Sequence, residues 1–122
     1  MATNATDRKT ATVQTTTADV TTLLTYAHPD ASGAVIQAVV TAYDGSGNVK
    51  GWLMELVTKR VAGTLSAVGS LQSLMTAQGD AGLATAVAII TTSGTNVIVQ
   101  VTGIALTTIN WRARVEVDLL TP

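Results

Sequence analysis

The chain has 122 residues, a mass of 12.5 kDa and a formal net charge of −1, which is enough sequence for one hydrophobic core. Thr, Ala and Val fill 55 positions, charged residues make up 12% and aromatics 3%, and there is neither Cys nor Phe. Disulfides, thiolate metal sites and Cys nucleophiles are thereby excluded, and so near-neutral a balance offers no electrostatic footprint for nucleic acid or an anionic membrane.

Residues 1–22 are polar and rich in Thr, and they read as an extended N-terminal arm with one edge strand around Ala11–Thr16. The opening decapeptide has no apolar core of the kind a secretory signal needs, so the expectation is synthesis in the cytoplasm without a signal peptide. Residues 23–122 alternate strand-like runs with turn signals at short spacing. Leu23–Tyr26 is a short strand closed by His28-Pro29-Asp30 and Ser32-Gly33. Ala34–Tyr43 is rich in β-branched residues and ends at Asp44-Gly45-Ser46-Gly47-Asn48, the strongest turn in the chain. Val49–Val61 follows as the second arm of a hairpin, with Trp52, Met54 and Leu56 on one face and Leu53, Glu55, Val57 and Lys59 on the other.

Gly63 and Gly69 bracket a strand at Thr64–Val68. In the next stretch, Leu71, Leu74 and Met75 sit at helical spacing, yet Ser70–Thr76 also reads as extended, and strand is the preferred reading. Gln78–Gly82 is a turn, Leu83–Thr92 a strand, and Ser93-Gly94-Thr95-Asn96 a tight hairpin into Val97–Thr102. The last run is the clearest: Ile109, Trp111, Ala113, Val115, Val117 and Leu119 alternate with Asn110, Arg112, Arg114, Glu116 and Asp118. A helix cannot satisfy that period, so this strand has one buried face and one wet face. About eight antiparallel strands predict an all-β, jelly-roll-like β-sandwich. The mean hydropathy of +0.37, with so little charge, asks for apolar surface to be hidden, and a homo-oligomer interface is one place for it.

Little chemistry is on offer. His28, the single histidine, reads as a solvated turn residue. No nucleophile elbow and no phosphate loop exist, since Gly45-Ser46-Gly47 lacks the Gly-Lys-Ser/Thr ending. Asp44 through Glu55 imitates the ligand spacing of a calcium loop but has Val49 where the sharp turn needs glycine, so a hairpin turn is the better reading. Lys59 and Arg60 would join Arg112 and Arg114 in one basic patch only if their strands were neighbours. Glu116 and Asp118 beside the two arginines read as cross-strand pairing on a wet face. The residues thus point to a non-enzymatic protein with no metal, no cofactor, no nucleic acid and no membrane among its partners.

Lys59-Arg60 closing a long strand, Gly63, Val68-Gly69-Ser70, then Val99-Gln100-Val101-Thr102-Gly103 leading to Thr107-Thr108-Ile109-Asn110-Trp111-Arg112-Ala113-Arg114-Val115 form a pattern. It resembles a small β-module of tailed-bacteriophage virion structural proteins, found in tail fibres, spikes and capsid-surface proteins. The likeness covers about residues 23–119. It departs after Asp80, where the module carries an aromatic and this chain has Ala81-Gly82-Leu83. The resemblance implies a virion location, neighbouring virion subunits such as the major capsid protein as partners, and a trimer. Its first implication is a capsid decoration protein attached through the arm, with Asp7, Arg8, Lys9, Val13, Thr15 and Thr16 as contacts. The alternative is a head-fibre, tail-fibre or spike component that meets the host surface at its turn tips, Asp44, Ser46, Asn48, Ser93, Thr95 and Asn96. A small hydrolase of surface polysaccharide would need a convergent acid–base pair, which the sequence does not display.

Overall fold

The computed structural model describes residues 4–122, and among them nine strands form two antiparallel sheets packed face to face. In chain order they are β1 (Asn4–Thr15), β2 (Val20–Ala27), β3 (Ser32–Asp44), β4 (Val49–Val61) and β5 (Thr64–Ala67). Then come β6 (Gln72–Gly79), β7 (Val87–Ser93), β8 (Asn96–Thr102) and β9 (Ile109–Leu120). The larger sheet runs β1-β9-β3-β4-β5, with β6 also paired to β4; the smaller is β2-β8-β7. The first described strand thus pairs with the last, and the second with the last but one, in opposite sheets. That is the wrapped connectivity expected of a jelly-roll-like sandwich.

Alternation builds the core as the sequence foretold. Ile109, Trp111, Ala113, Val115 and Val117 of β9 are buried, as are Trp52, Met54 and Leu56 of β4. The inner face of β3 is mostly small, with Ala34, Ala38 and Ala42 interleaving Ile36 and Val40. That leaves room for Trp52 and Trp111, which stack with ring centroids 5.6 Å apart. From the opposite sheet Leu24, Tyr26, Val97, Val99, Val101, Ala88 and Ile90 close the core. Leu23 and Leu24 are consecutive and both buried, which a regular strand forbids; a register shift between Thr22 and Leu24 makes it possible. The ambiguous stretch after Ser70 is strand β6, exposed along its whole length. The run expected from Leu83 begins instead at Val87, because Ala81–Leu83 form a short 3₁₀ turn that drives Leu83 fully into the core.

Two expectations need correcting. Residues 4–15 are not an arm apart from the sandwich: β1 pairs with β9 in unbroken register from Asn4↔Leu120 to Thr15↔Ile109. Ala11 and Val13 pack on the core, and buried Thr15 Oγ1 accepts a hydrogen bond from Trp111 Nε1 at 2.8 Å. Gly103 completes this corner, since a Cβ there would lie 2.5 Å from Thr15 Oγ1. The part of the expected arm at residues 1–3 lies outside the described residues. His28, in turn, is not solvated but 1% exposed. Its Nδ1 lies 2.9 Å from the Pro29 carbonyl, which can only accept, so that nitrogen carries the proton in this bond. Nε2 then accepts from Thr58 Oγ1 at 2.9 Å, and the ring meets Tyr26 edge-on. Ser32 Oγ donates to the same Pro29 carbonyl, so the corner between β2 and β3 is closed by a satisfied polar network.

Candidate functional site

Among the described residues nothing covers the outer face of the larger sheet. The strand register decides which side chains meet there. Gln14 and Tyr43 both stand opposite Asn110, one from β1 and one from β3. One step along, Thr12 and Thr41 flank Arg112; a further step places Thr10 and Val39 beside Arg114. Tyr43 is 52% exposed, and the Gln14 side-chain amide donates to Asn110 Oδ1 at 3.0 Å. Thr12, Gln14, Thr41, Tyr43, Asn110 and Arg112 line a shallow depression of about 570 Å³. A second, of about 230 Å³, is lined by Val39, Thr41, Arg112 and Arg114, so the two share Thr41 and Arg112. Beyond Arg114 lies a row of opposite character: Glu116 is paired with Arg8, and Glu55 accepts a hydrogen bond from Gln37.

The contacts expected of the arm are engaged within the chain. Arg8 binds Glu116, Lys9 Nζ donates to the Thr25 carbonyl, Val13 packs on the core and Thr15 is buried. Asp7 stands near Tyr26, whose hydroxyl pKa is raised by burial and, less, by that carboxylate. The Thr16 carbonyl accepts from Leu106 N–H. As for the turn tips, the structure does not bring the two groups together. Asp44, Ser46 and Asn48 follow the end of β3, whereas the Ser93, Thr95, Asn96 turn meets His28, just before the start of β3, through a His28 N–H to Thr95 carbonyl bond. The two groups therefore sit at opposite ends of the sandwich. Asp44 is itself buried and spent on its own turn, accepting from Ser46 N–H, Asn48 N–H and Asn48 Nδ2, each at 2.9 Å. Nor do the basic pairs form one patch, because β3 separates β4 from β9 and Arg60 is drawn to the His28 and Gly63 carbonyls. Among the described residues no three His, Cys, Asp or Glu side chains converge as a metal site would require.

Two turn aspartates make a prediction about acid. The Asn48 side-chain amide, then its backbone N–H, hold the Asp44 carboxyl below its ordinary range, and Gly63 N–H followed by Ala31 N–H do the same for Asp30. A carboxyl depressed in the folded state contributes stability that is complete above its unfolded value of about 3.9 and is lost as pH falls through the folded value. Urea unfolding followed down a pH series should therefore show a steep decline below about pH 4. Asp44→Asn should be less stable at neutral pH and should decline less steeply. Parallel curves for the two proteins would refute the assignment.

No family model matches the chain, and no curated protein matches it. Among solved structures it is similar to the tailspike protein gp49 from Acinetobacter baumannii bacteriophage Fri1, a capsular polysaccharide depolymerase. That similarity has 16% identity and a TM-score of 0.47, covering 94% of this chain and 17% of that one. It is also similar to the Acinetobacter baumannii phage AM24 tailspike protein, at 11% identity and a TM-score of 0.45, covering 95% of this chain and 26% of that one. The chain thus spans a small part of the length of either tailspike. The expectation of a non-enzymatic protein is corrected by the first of these: a chain with a stretch of similar outline belongs to a polysaccharide depolymerase. The lack of a catalytic motif in 122 residues does not set the protein apart from enzymes.

Proposed function

We propose that this chain is a β-sandwich module of a tailed-phage virion structural protein, of the fibre or spike kind, and that it meets the host surface through the open face of its larger sheet. The observation that carries this reading is the setting of Tyr43. A half-exposed aromatic ring lies beside the Gln14–Asn110 amide pair and the hydroxyls of Thr12 and Thr41, on a sheet face with no second layer. A flat apolar ring ringed by hydrogen-bonding groups is complementary to a sugar, which offers apolar ring faces and hydroxyl edges. Rigid strands hold all of these groups, so little order has to be gained on binding. The Val99–Gly103 and Thr107–Val115 pattern supports the virion placement. The capsid-decoration reading drew on a free arm, and with residues 4–15 paired to β9 it loses that support.

Fluorescently labelled protein applied to an array of bacterial surface polysaccharides should be retained on a subset of them. Tyr43→Ala should cut that retention about fivefold while leaving the circular dichroism unchanged. Retention on none, or retention indifferent to Tyr43, overturns the reading.

A further inference from the structure

Arg112 and Arg114 project from the same face of β9, two residues and roughly 6.8 Å apart along the strand. Both are exposed, and neither makes an ion pair with any described residue. The next carboxylate on that face, Glu116, is taken by Arg8, and Glu55 is occupied by Gln37. Two adjacent guanidinium groups without a counter-charge repel each other, and an anion seated between them removes that repulsion. The depression beside Tyr43 and the one between the arginines share Thr41 and Arg112, so one ligand can reach both.

Resting on the host-surface reading above, we propose that this groove takes an acidic polysaccharide, with a sugar carboxylate held between Arg112 and Arg114 and an adjoining ring laid on Tyr43. The planar fork of a guanidinium matches a carboxylate with two parallel hydrogen bonds, which a neutral sugar cannot accept as well. Thr12 and Thr41, on either side of Arg112, present hydroxyls to the rest of the chain of sugars. Nucleic acid is the poorer fit. Its affinity comes from neutralising a run of phosphates, whereas this groove offers two unpaired cations, cut off from Lys59 farther along the face by the Glu116 and Glu55 row, on a chain of net charge −1.

The test uses the full chain and three immobilised probes: polygalacturonate, neutral dextran and double-stranded DNA. The protein should be retained on polygalacturonate in preference to dextran and DNA, and retention should weaken as salt rises. Arg112→Gln and Arg114→Gln should each reduce retention about tenfold, with unchanged thermal unfolding because both side chains are exposed. Equal retention on dextran, stronger retention on DNA, or indifference to both arginine substitutions overturns the acidic ligand. If Tyr43→Ala still weakens binding to the polysaccharide array in that event, host-surface contact stands and only the acidic class falls. If Tyr43→Ala has no effect there either, both fall.

Discussion

Replacing Trp111 with alanine should lower the unfolding free energy by about 3–5 kcal/mol, a large share of the roughly 5–15 kcal/mol that holds a domain of this size together. The side chain is 1% exposed near the start of β9, stacks on Trp52 and donates its indole N–H to Thr15. Truncation removes the aromatic surface from between the sheets, and the small side chains around it, Ala42 and Ala113 among them, are too short to fill the space. Thr15→Val isolates one part of that loss. It keeps the shape of the side chain but leaves the buried indole N–H without its partner, at a cost of about 1–3 kcal/mol. Urea unfolding monitored through Trp52, the only other tryptophan, gives the first value, and intrinsic fluorescence of both gives the second. A loss below about 1.5 kcal/mol on truncating Trp111 would mean that the two sheets do not close over it.

Deleting residues 1–17 should abolish cooperative unfolding rather than release a folded domain. The deletion removes β1, with Ala11 and Val13 from the core edge and the Thr15 hydroxyl from Trp111. It also strips β9 of one neighbour along its whole length, turning a central strand into an open edge. The expected product is aggregated, or monomeric with a broad, shallow transition. A sharp thermal transition at the midpoint of the intact chain would show that residues 4–15 stand outside the folded unit after all.

How much of this was legible beforehand differs from strand to strand, for physical reasons. β9 alternates strictly because the smaller sheet covers its inner face from Ile109 to Val117 while its outer face stays open. β1 pairs just as regularly but lies at the rim. On its core-facing side Asp7 and Lys9 are exposed, and among the described side chains only Ala11, Val13 and Thr15 reach inward. A strand whose register is set by its neighbour's backbone leaves little trace in its own side chains. β6 was ambiguous for a related reason, since a strand exposed on both faces has no burial pattern to display. His28 could not be read as buried because its partners, Thr58 and Ser32, come from β4 and β3. The candidate site was half visible: the wet face of β9 was plain, but that Tyr43 and Gln14 both stand against Asn110 depends on two inter-strand registers. The burial of Asp44 was not legible, because a turn aspartate that caps its own backbone looks, in sequence, like one that points outward.

The pairing of β1 with β9 also bears on how the chain is made. Residues 4–15 emerge from the ribosome ahead of their partner strand, residues 109–120, which is synthesised about a hundred positions later. Until then the early segment has no edge to join, and pairing of such remote strands is slow once it begins. An apolar segment waiting that long would find other unfinished chains. One built largely from Thr, Asp, Arg, Lys and Gln can wait in water, so the same composition that hides β1 from a reader of the sequence keeps it free for its partner.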